Sequence, residues 1–326
     1  MPNRIPASDH VSMERGALKP DRNPSRLLVV TPIKDEIQIV ERMVESVLRQ
    51  TTPFLEWVLV DDGSTDGTGE FLQTLAASTA SVTLVPMTDR SDRRVGRHVA
   101  SVVEQGLAKA HSADWHYWAK IDADLVLAPD YFEQILARLK ADPRLGIASG
   151  KALLPGRAGT WRNEWTPEYY PLGMARIYRR ECWLDIGGYR GDRHFDIVDV
   201  YEARLRGWRT VSIPETHAML LRRVEARMPG QLRRRFEAGS DLYAIGYHPG
   251  YFLLRAARSM WDERPLGLAG FAMACGYVRG AMLGVREVGD ELFQFVRQDQ
   301  RRMLKVDRVL SYARVRLGRA DLDRLQ

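Results

Sequence analysis

The chain has 326 residues, 45% hydrophobic and 28% charged, which excludes a fibrous or disordered chain and leaves ample material for a core. Two cysteines, Cys182 and Cys275, exclude a disulfide framework and match no zinc spacing, so a reducing cytoplasm is the expected setting. The net charge of +6, much of it arginine in the second half (Arg222-Arg223 and Arg233-Arg234-Arg235), attracts phosphorylated substrates, anionic lipid and nucleic acid alike.

Residues 1–25 carry no continuous apolar run, so they are expected to form a flexible tail without a secretory signal. From Arg26 to Thr31 a β-branched apolar run predicts a buried parallel strand, broken at Pro32, and residues 37–50 then show helical spacing. Leu55 to Val60 predicts a second strand, stopped by Asp61-Asp62-Gly63-Ser64. Residues 69–77 predict a helix, 81–86 a strand and 95–110 a helix. His116 to Ile121 predicts the strand that delivers Asp122-Ala123-Asp124. Strands alternating with helices imply βαβ units and a mostly parallel sheet, in which ligands bind beyond the carboxyl ends of the strands. Asp35-Glu36, Asp61-Asp62 and Asp122-Asp124 all fall at such ends.

Further on, a helix is expected from 130 to 141, strands at 145–153 and 173–178, and a short helix from 179 to 186 with Gly187-Gly188 as its C-cap. Asp196 is expected at the N-cap of a helix ending near Gly207, with Asp199 in its first turn. Residues 209–213 read as a last strand leading to His217, and everything after Arg222 reads as helical. The longest apolar stretch, Leu266 to Val278, is too short to span a bilayer and suits a buried or an interfacial helix.

Two carboxylates one residue apart are costly to hold together without a cation between them. Their hard oxygens suit magnesium or manganese, ions that keep positions open for phosphates. Asp122-Ala123-Asp124 therefore points to a metal-diphosphate site and a nucleotide-activated donor.

The order of four motifs resembles the family 2 glycosyltransferases. Thr31-Pro-Ile-Lys-Asp-Glu36 is similar to the family's strand-one signature, with Asp35 where Asn is more usual. Val60-Asp-Asp-Gly-Ser-Thr-Asp-Gly-Thr68 resembles its most recognisable motif, Ile121-Asp-Ala-Asp124 its metal motif, and Gly187-Gly188-Tyr189 the segment preceding its acceptor-side acidic residue. The resemblance implies an α/β, Rossmann-like GT-A domain over 26–220, its mostly parallel sheet flanked by helices, and a helical C-terminal extension over 221–326. It implies Thr31, Pro32, Glu36, Asp61, Asp62 and Asp122 around the donor nucleotide, with Arg97 and Lys120 as candidate phosphate neighbours. A carboxylate such as Asp61 can accept the imide N–H of uracil, which would favour a uridine donor.

The resemblance further implies a Mn2+ or Mg2+ ion on Asp124, with Asp122 and His217 as further candidate ligands. In the family the general base lies eleven residues before a helix-ending glycine; counting back from Gly207 gives Asp196, with Asp199 as the alternative. The implied reaction is inverting transfer of a sugar to a hydroxyl of a glycan or a lipid-linked saccharide. The implied setting is cytoplasmic, peripheral to the inner face of the plasma membrane through contact with anionic lipid, with no nucleic acid as partner. Gln231-Leu-Arg-Arg-Arg235 resembles the Gln-x-x-Arg-Trp motif of processive synthases but lacks the tryptophan, and is read as a basic helix face. A nucleotidyltransferase would show a Gly-rich loop after strand one, which is missing. A non-catalytic membrane- or nucleic-acid-binding module leaves the acidic loops unexplained.

Overall fold

The computed structural model describes residues 26–88, 97–155, 161–163, 167–190, 194–221, 230–262 and 267–304. The expected tail and Arg222-Arg223 lie outside them. In chain order the first half comprises β1 (Leu27–Ile33), α1 (Val40–Leu48), β2 (Glu56–Asp61), α2 (Thr68–Ser78), β3 (Val82–Pro86), α3 (Arg97–Lys109), β4 (Tyr117–Ile121), β5 (Leu125–Leu127) and α4 (Tyr131–Ala141). Then come β6 (Leu145–Pro155), β7 (Trp161–Asn163), β8 (Ala175–Arg179), α5 (Arg180–Ile186), α6 (Phe195–Leu205) and β9 (Arg209–Leu220). Four helices close the described chain: α7 (Gln231–Ile245), α8 (Pro249–Asp262), α9 (Leu268–Leu283) and α10 (Asp290–Met303).

The strands form one sheet in the order β3-β2-β1-β4-β8-β6-β9-β5, with β7 paired to β6. β1, β2, β3 and β4 run parallel. The apolar runs of β1, β2 and β4 are buried on both faces, as a covered parallel sheet requires, and β3 is a half-buried edge strand. β8 is antiparallel to both β4 and β6, while β6 and β9 are parallel. The chain leaves β1 toward β2 and returns on its other side as β4. The carboxyl ends of β1 and β4 therefore flank a switch point, where an open α/β sheet leaves a crevice for a ligand.

One apolar core joins α1 and α4 to the sheet through residues such as Val40, Val47, Phe132 and Leu136. The opposite face packs Val102 and Val103 of α3 and Trp183 of α5 against Trp118 of β4, which stacks on Tyr178 at 4.5 Å. A third core belongs to the C-terminal helices. It is built from Ile197, Val198 and Tyr201 of α6 together with Leu242, Tyr247, Phe252, Met273, Tyr277 and Val296. Helices α7 and α9 approach closely because each presents glycine: a Cβ on Gly276 would lie 1.8 Å from the Phe236 carbonyl oxygen, and one on Gly239 1.9 Å from that of Met273.

Three local expectations change. β5 starts directly after Asp124, so the paired carboxylates sit in a tight connection between two strands. β9 continues through Pro214 to Leu220. Its pairing with β6 shifts register between Ser149 and Lys151, so Pro214 falls where no ladder bond is demanded of it. The N-cap of α6 is His194, with no side-chain cap, and Asp196 lies one residue inside the helix, in its first turn.

Candidate active site

The rim at the switch point is shaped by polar contacts between its loops. Asp35 takes a left-handed backbone, φ 53°, which Asn and Asp tolerate better than most residues. Its carboxylate accepts the Thr65 N–H at 2.8 Å, while its own N–H donates to Ser64 Oγ at 3.0 Å. The Glu36 N–H donates to Thr68 Oγ1 at 2.9 Å, fastening the loop after β1 to the start of α2. Pro32 and Glu36 are half-buried at this rim. The Thr31 side chain is fully buried, and its hydroxyl accepts the Trp57 indole N–H at 2.9 Å.

Asp61 ends β2 and Asp62 follows it, and both are buried. Asp61 accepts the Ser64 N–H at 3.0 Å, and a Cβ on Gly69 would come within 2.9 Å of its other oxygen. Asp62 lies 2.7 Å from His98 Nε2 of α3, and its carbonyl accepts the Lys34 ammonium at 2.7 Å. Lys34 and His98 are rim residues that the sequence reading passed over. Lys34 sits inside a motif already singled out, whereas His98 carries no local signal. Arg97 is exposed at the start of α3. It is near enough to Glu104 to oppose the effect of burial, which still holds that carboxyl above its usual range.

On the other side of the switch point Asp122 follows β4, its N–H donating to the Met174 carbonyl at 2.9 Å. Lys120 is buried, and its ammonium bridges the Asp122 carboxylate and the Gly173 carbonyl, 3.0 Å away. Its charge is thus spent on Asp122, which remains 32% exposed. Asp124 is half-buried, and its carbonyl accepts the Leu221 N–H. Gly173 also touches Asp196: a Cβ there would fall 2.7 Å from Asp196 Oδ2. Gly173 is thus near Asp196 directly and is joined to Asp122 through the Lys120 ammonium.

Beneath Asp196 lies a buried polar network. Arg176 of β8 donates from Nη1 to both Asp199 oxygens, at 2.8 and 2.7 Å, and from Nη2 to the carbonyls of Asp196 and Pro171, each at 2.7 Å. Tyr178 donates its hydroxyl to Asp199 as well. Both side chains of the Arg176–Asp199 pair are 0% exposed. Burial pushes the Asp199 carboxyl above its usual range, with Arg176 and Tyr178 pulling the other way. Asp199, the alternative base, has both oxygens occupied and no path to a substrate. It anchors the wall instead.

His217 is also displaced from its expected place. β5 pairs antiparallel with β9, Leu125 opposite Leu220 and Leu127 opposite Ala218. Continuing that register sets Asp124 opposite Leu221, whereas the His217 carbonyl accepts the Ala128 N–H. Four residue steps, about 13 Å of strand, separate the two levels. His217 therefore does not complete a metal set with Asp124. Among the described residues no group of three or more His, Cys, Asp or Glu side chains could close around an ion. What remains is a pair of hard carboxylates, one of them shared with Lys120. That donor set fits an ion drawing its other ligands from phosphate and water.

The Glycosyl transferase family 2 model matches residues 28–195, just over half of the chain. The chain belongs to this family. Asp196 lies one residue beyond the matched span. The family member is 22% identical over 213 residues to the poly-beta-1,6-N-acetyl-D-glucosamine synthase of Staphylococcus aureus strain COL, covering 59% of this chain and 49% of that one. It thus spans about half the length of the curated relatives it matches. Among solved structures it is similar to the mannosyltransferase PcManGT from Pyrobaculum calidifontis in complex with GDP-Man and Mn2+, at TM-score 0.51 and 18% identity over 93% of this chain and 82% of that one. It is also similar to GalNAc-T7 with UDP, GalNAc and Mn2+, at TM-score 0.55 and 16% identity over 90% and 58% of the respective chains. The fold of this glycosyltransferase is GT-A, extended by the C-terminal helices.

Proposed function

We propose that the protein moves a sugar from a nucleoside-diphosphate donor, a uridine donor being favoured, to a hydroxyl of a glycan or a lipid-linked saccharide, with inversion at the anomeric carbon. The observation that carries this reading is that Gly173 adjoins the half-buried Asp196 and shares the Lys120 ammonium with Asp122 of the metal motif, which brings the two acids to one part of the rim. A base and a leaving diphosphate must lie on opposite faces of the transferred sugar for direct displacement, so in this reading Asp196 and the acids of the metal motif address the sugar from opposite faces.

In this reading Asp61, Asp62, Pro32 and Glu36 receive the base and ribose. Asp124, together with Asp122, would hold a magnesium or manganese ion, whose chemistry is to stabilise charge on the departing diphosphate. The manganese in both solved neighbours supports the choice of ion. Lys120 holds the Asp122 carboxylate in place. Asp196 takes the proton from the acceptor hydroxyl as its oxygen attacks, and Arg176 fixes the backbone of Asp196 from below.

A thermal-shift screen of nucleoside diphosphates and nucleotide sugars, with and without manganese, tests the donor half of the proposal. Stabilisation by one nucleotide class that depends on manganese is expected. No stabilisation by any nucleotide would remove the reading.

A further inference from the structure

Helix α9 is apolar on two opposite sides. Its inner side, with Ala269, Gly270, Met273, Gly276 and Tyr277, is buried against α7 and α8. Its outer side carries Leu268, Phe271, Cys275, Val278 and Met282, a spacing that keeps all five on one stripe. Phe271, Val278 and Met282 are 64%, 55% and 83% exposed, and they line a shallow apolar groove together with Arg279. Leu283 at the helix end and Val285 just beyond it prolong the exposed apolar surface. Scattered apolar side chains on a surface need no explanation, but a continuous stripe along a whole helix does.

Two features choose the occupant. Between Gly267 and Arg286 there is no carboxylate, and the only charges are Arg279 and Arg286. In a two-fold pairing of this chain through the stripe, Arg279 would be buried with no acid from the helix to meet it. An anionic lipid surface offers apolar acyl chains to the stripe and phosphate to the guanidinium. Length agrees with lying in the surface: sixteen residues reach about 24 Å, short of the roughly 30 Å hydrocarbon core. Among the described residues no helix is long and apolar enough to cross a membrane.

We infer that the outer stripe of α9 is a membrane-docking surface, inserting Phe271, Val278 and Met282 into the interface of an anionic lipid layer with Arg279 at headgroup level. The inference stands apart from sugar transfer, since it rests on the C-terminal helices alone. The test is flotation of the full chain with vesicles of equal parts phosphatidylcholine and phosphatidylglycerol, beside vesicles of phosphatidylcholine only. Binding to the anionic vesicles is expected, weakening with salt. The double variant F271S/M282S should lose it by at least about tenfold, and R279Q by about fivefold. Both variants should keep the wild-type unfolding midpoint, because the altered side chains touch solvent. Absence of wild-type binding, equal binding to neutral vesicles, or binding untouched by F271S/M282S would each overturn the assignment. So would a dimer in solution that F271S/M282S converts to monomer.

Discussion

Helix α6 has its first turn in the acidic rim and its flank in the C-terminal helical layer, and the two surroundings treat it in opposite ways. In the rim, polar groups run from buried (Asp61, Asp62, Lys120) to exposed (Asp35), and each loop is held by a few directed contacts: Asp35 to Thr65, Glu36 to Thr68, Lys120 to Asp122 and Gly173. In the layer, Ile197, Val198 and Tyr201 are sealed among apolar side chains, and α7 and α9 meet at backbone distance through glycine. In the rim the acids Asp122, Asp124 and Asp196 keep part of their surface open to solvent. The layer leaves no room and fixes the helix that presents Asp196. Between them sits the Arg176–Asp199 pair, polar like the rim and dry like the layer.

The largest expected effect breaks the rim and leaves the layer alone. Asp196→Asn should lower transfer by about 10²–10⁴-fold, the range for losing a general base, with nucleotide stabilisation unchanged. Transfer near the wild-type rate would eliminate Asp196 as base. Gly173→Ala provides a second handle on the same wall, because its Cβ would strike the Asp196 carboxylate. It should cut turnover more than donor binding, as judged by turnover beside nucleotide thermal shift; equal loss of both would deny that Gly173 acts through Asp196.

The next effect tests the dry pair. Arg176→Met leaves the Asp199 carboxyl buried without its partner and should cost about 3–5 kcal/mol in denaturant unfolding, whereas the double change Arg176→Met/Asp199→Leu should recover most of that loss. A double variant as unstable as the single one would show that the hydrogen bonds to Asp196 and Pro171, rather than charge compensation, hold this region. A smaller effect tests the layer. Gly276→Ala forces α9 away from Phe236 and should cost about 1–3 kcal/mol, read in the same experiment. An unchanged midpoint would mean that the close approach contributes nothing.

The smallest effect lies far from α6 and sets a baseline. Burial alone would raise the Glu56 carboxyl, but the Thr83 hydroxyl and the backbone N–H groups of Ser112 and His111 outweigh it and hold the group below its usual range. A carboxyl depressed by folding contributes stability that is present above its unfolded pKa and is lost as pH falls through its folded value. The window is therefore acidic, from about pH 4.3 downward. Glu56→Gln should flatten the acid limb of the stability profile, and superimposable limbs for the two proteins would refute the assignment.

Much of this molecule is legible in residue order because its determinants are local. The runs Leu27–Val30 and Trp57–Val60 are apolar and β-branched enough to be buried strands wherever they pack, and Asp61-Asp62-Gly63-Ser64 stops the second where a rim must form, whereas the first continues through Pro32 to Ile33 rather than breaking at the proline. Gly187 as a left-handed C-cap follows from the same local chemistry. The strand β5 was illegible, because three residues give no periodicity and its pairing with β9 is made across the sheet. The extension of β9 was hidden by Pro214, which is tolerated at a register shift that only the partner strand reveals.

The sequence by itself determined the alternation of strands and helices, the acidic clusters at strand ends and the likeness to a sugar-transfer family, since each depends on neighbours along the chain. The tertiary structure alone decided which acids are open. Asp196 and Asp199 lie on the same turn of helix, yet only Asp199 faces Arg176 from β8, and burial with that cation removes it from chemistry. It also decided that His217 is a strand residue out of reach of Asp124, and that α9 has one apolar side too many for its neighbours to cover. Charge pairing, register and exposure are set by residues distant in sequence, so no local pattern could announce them.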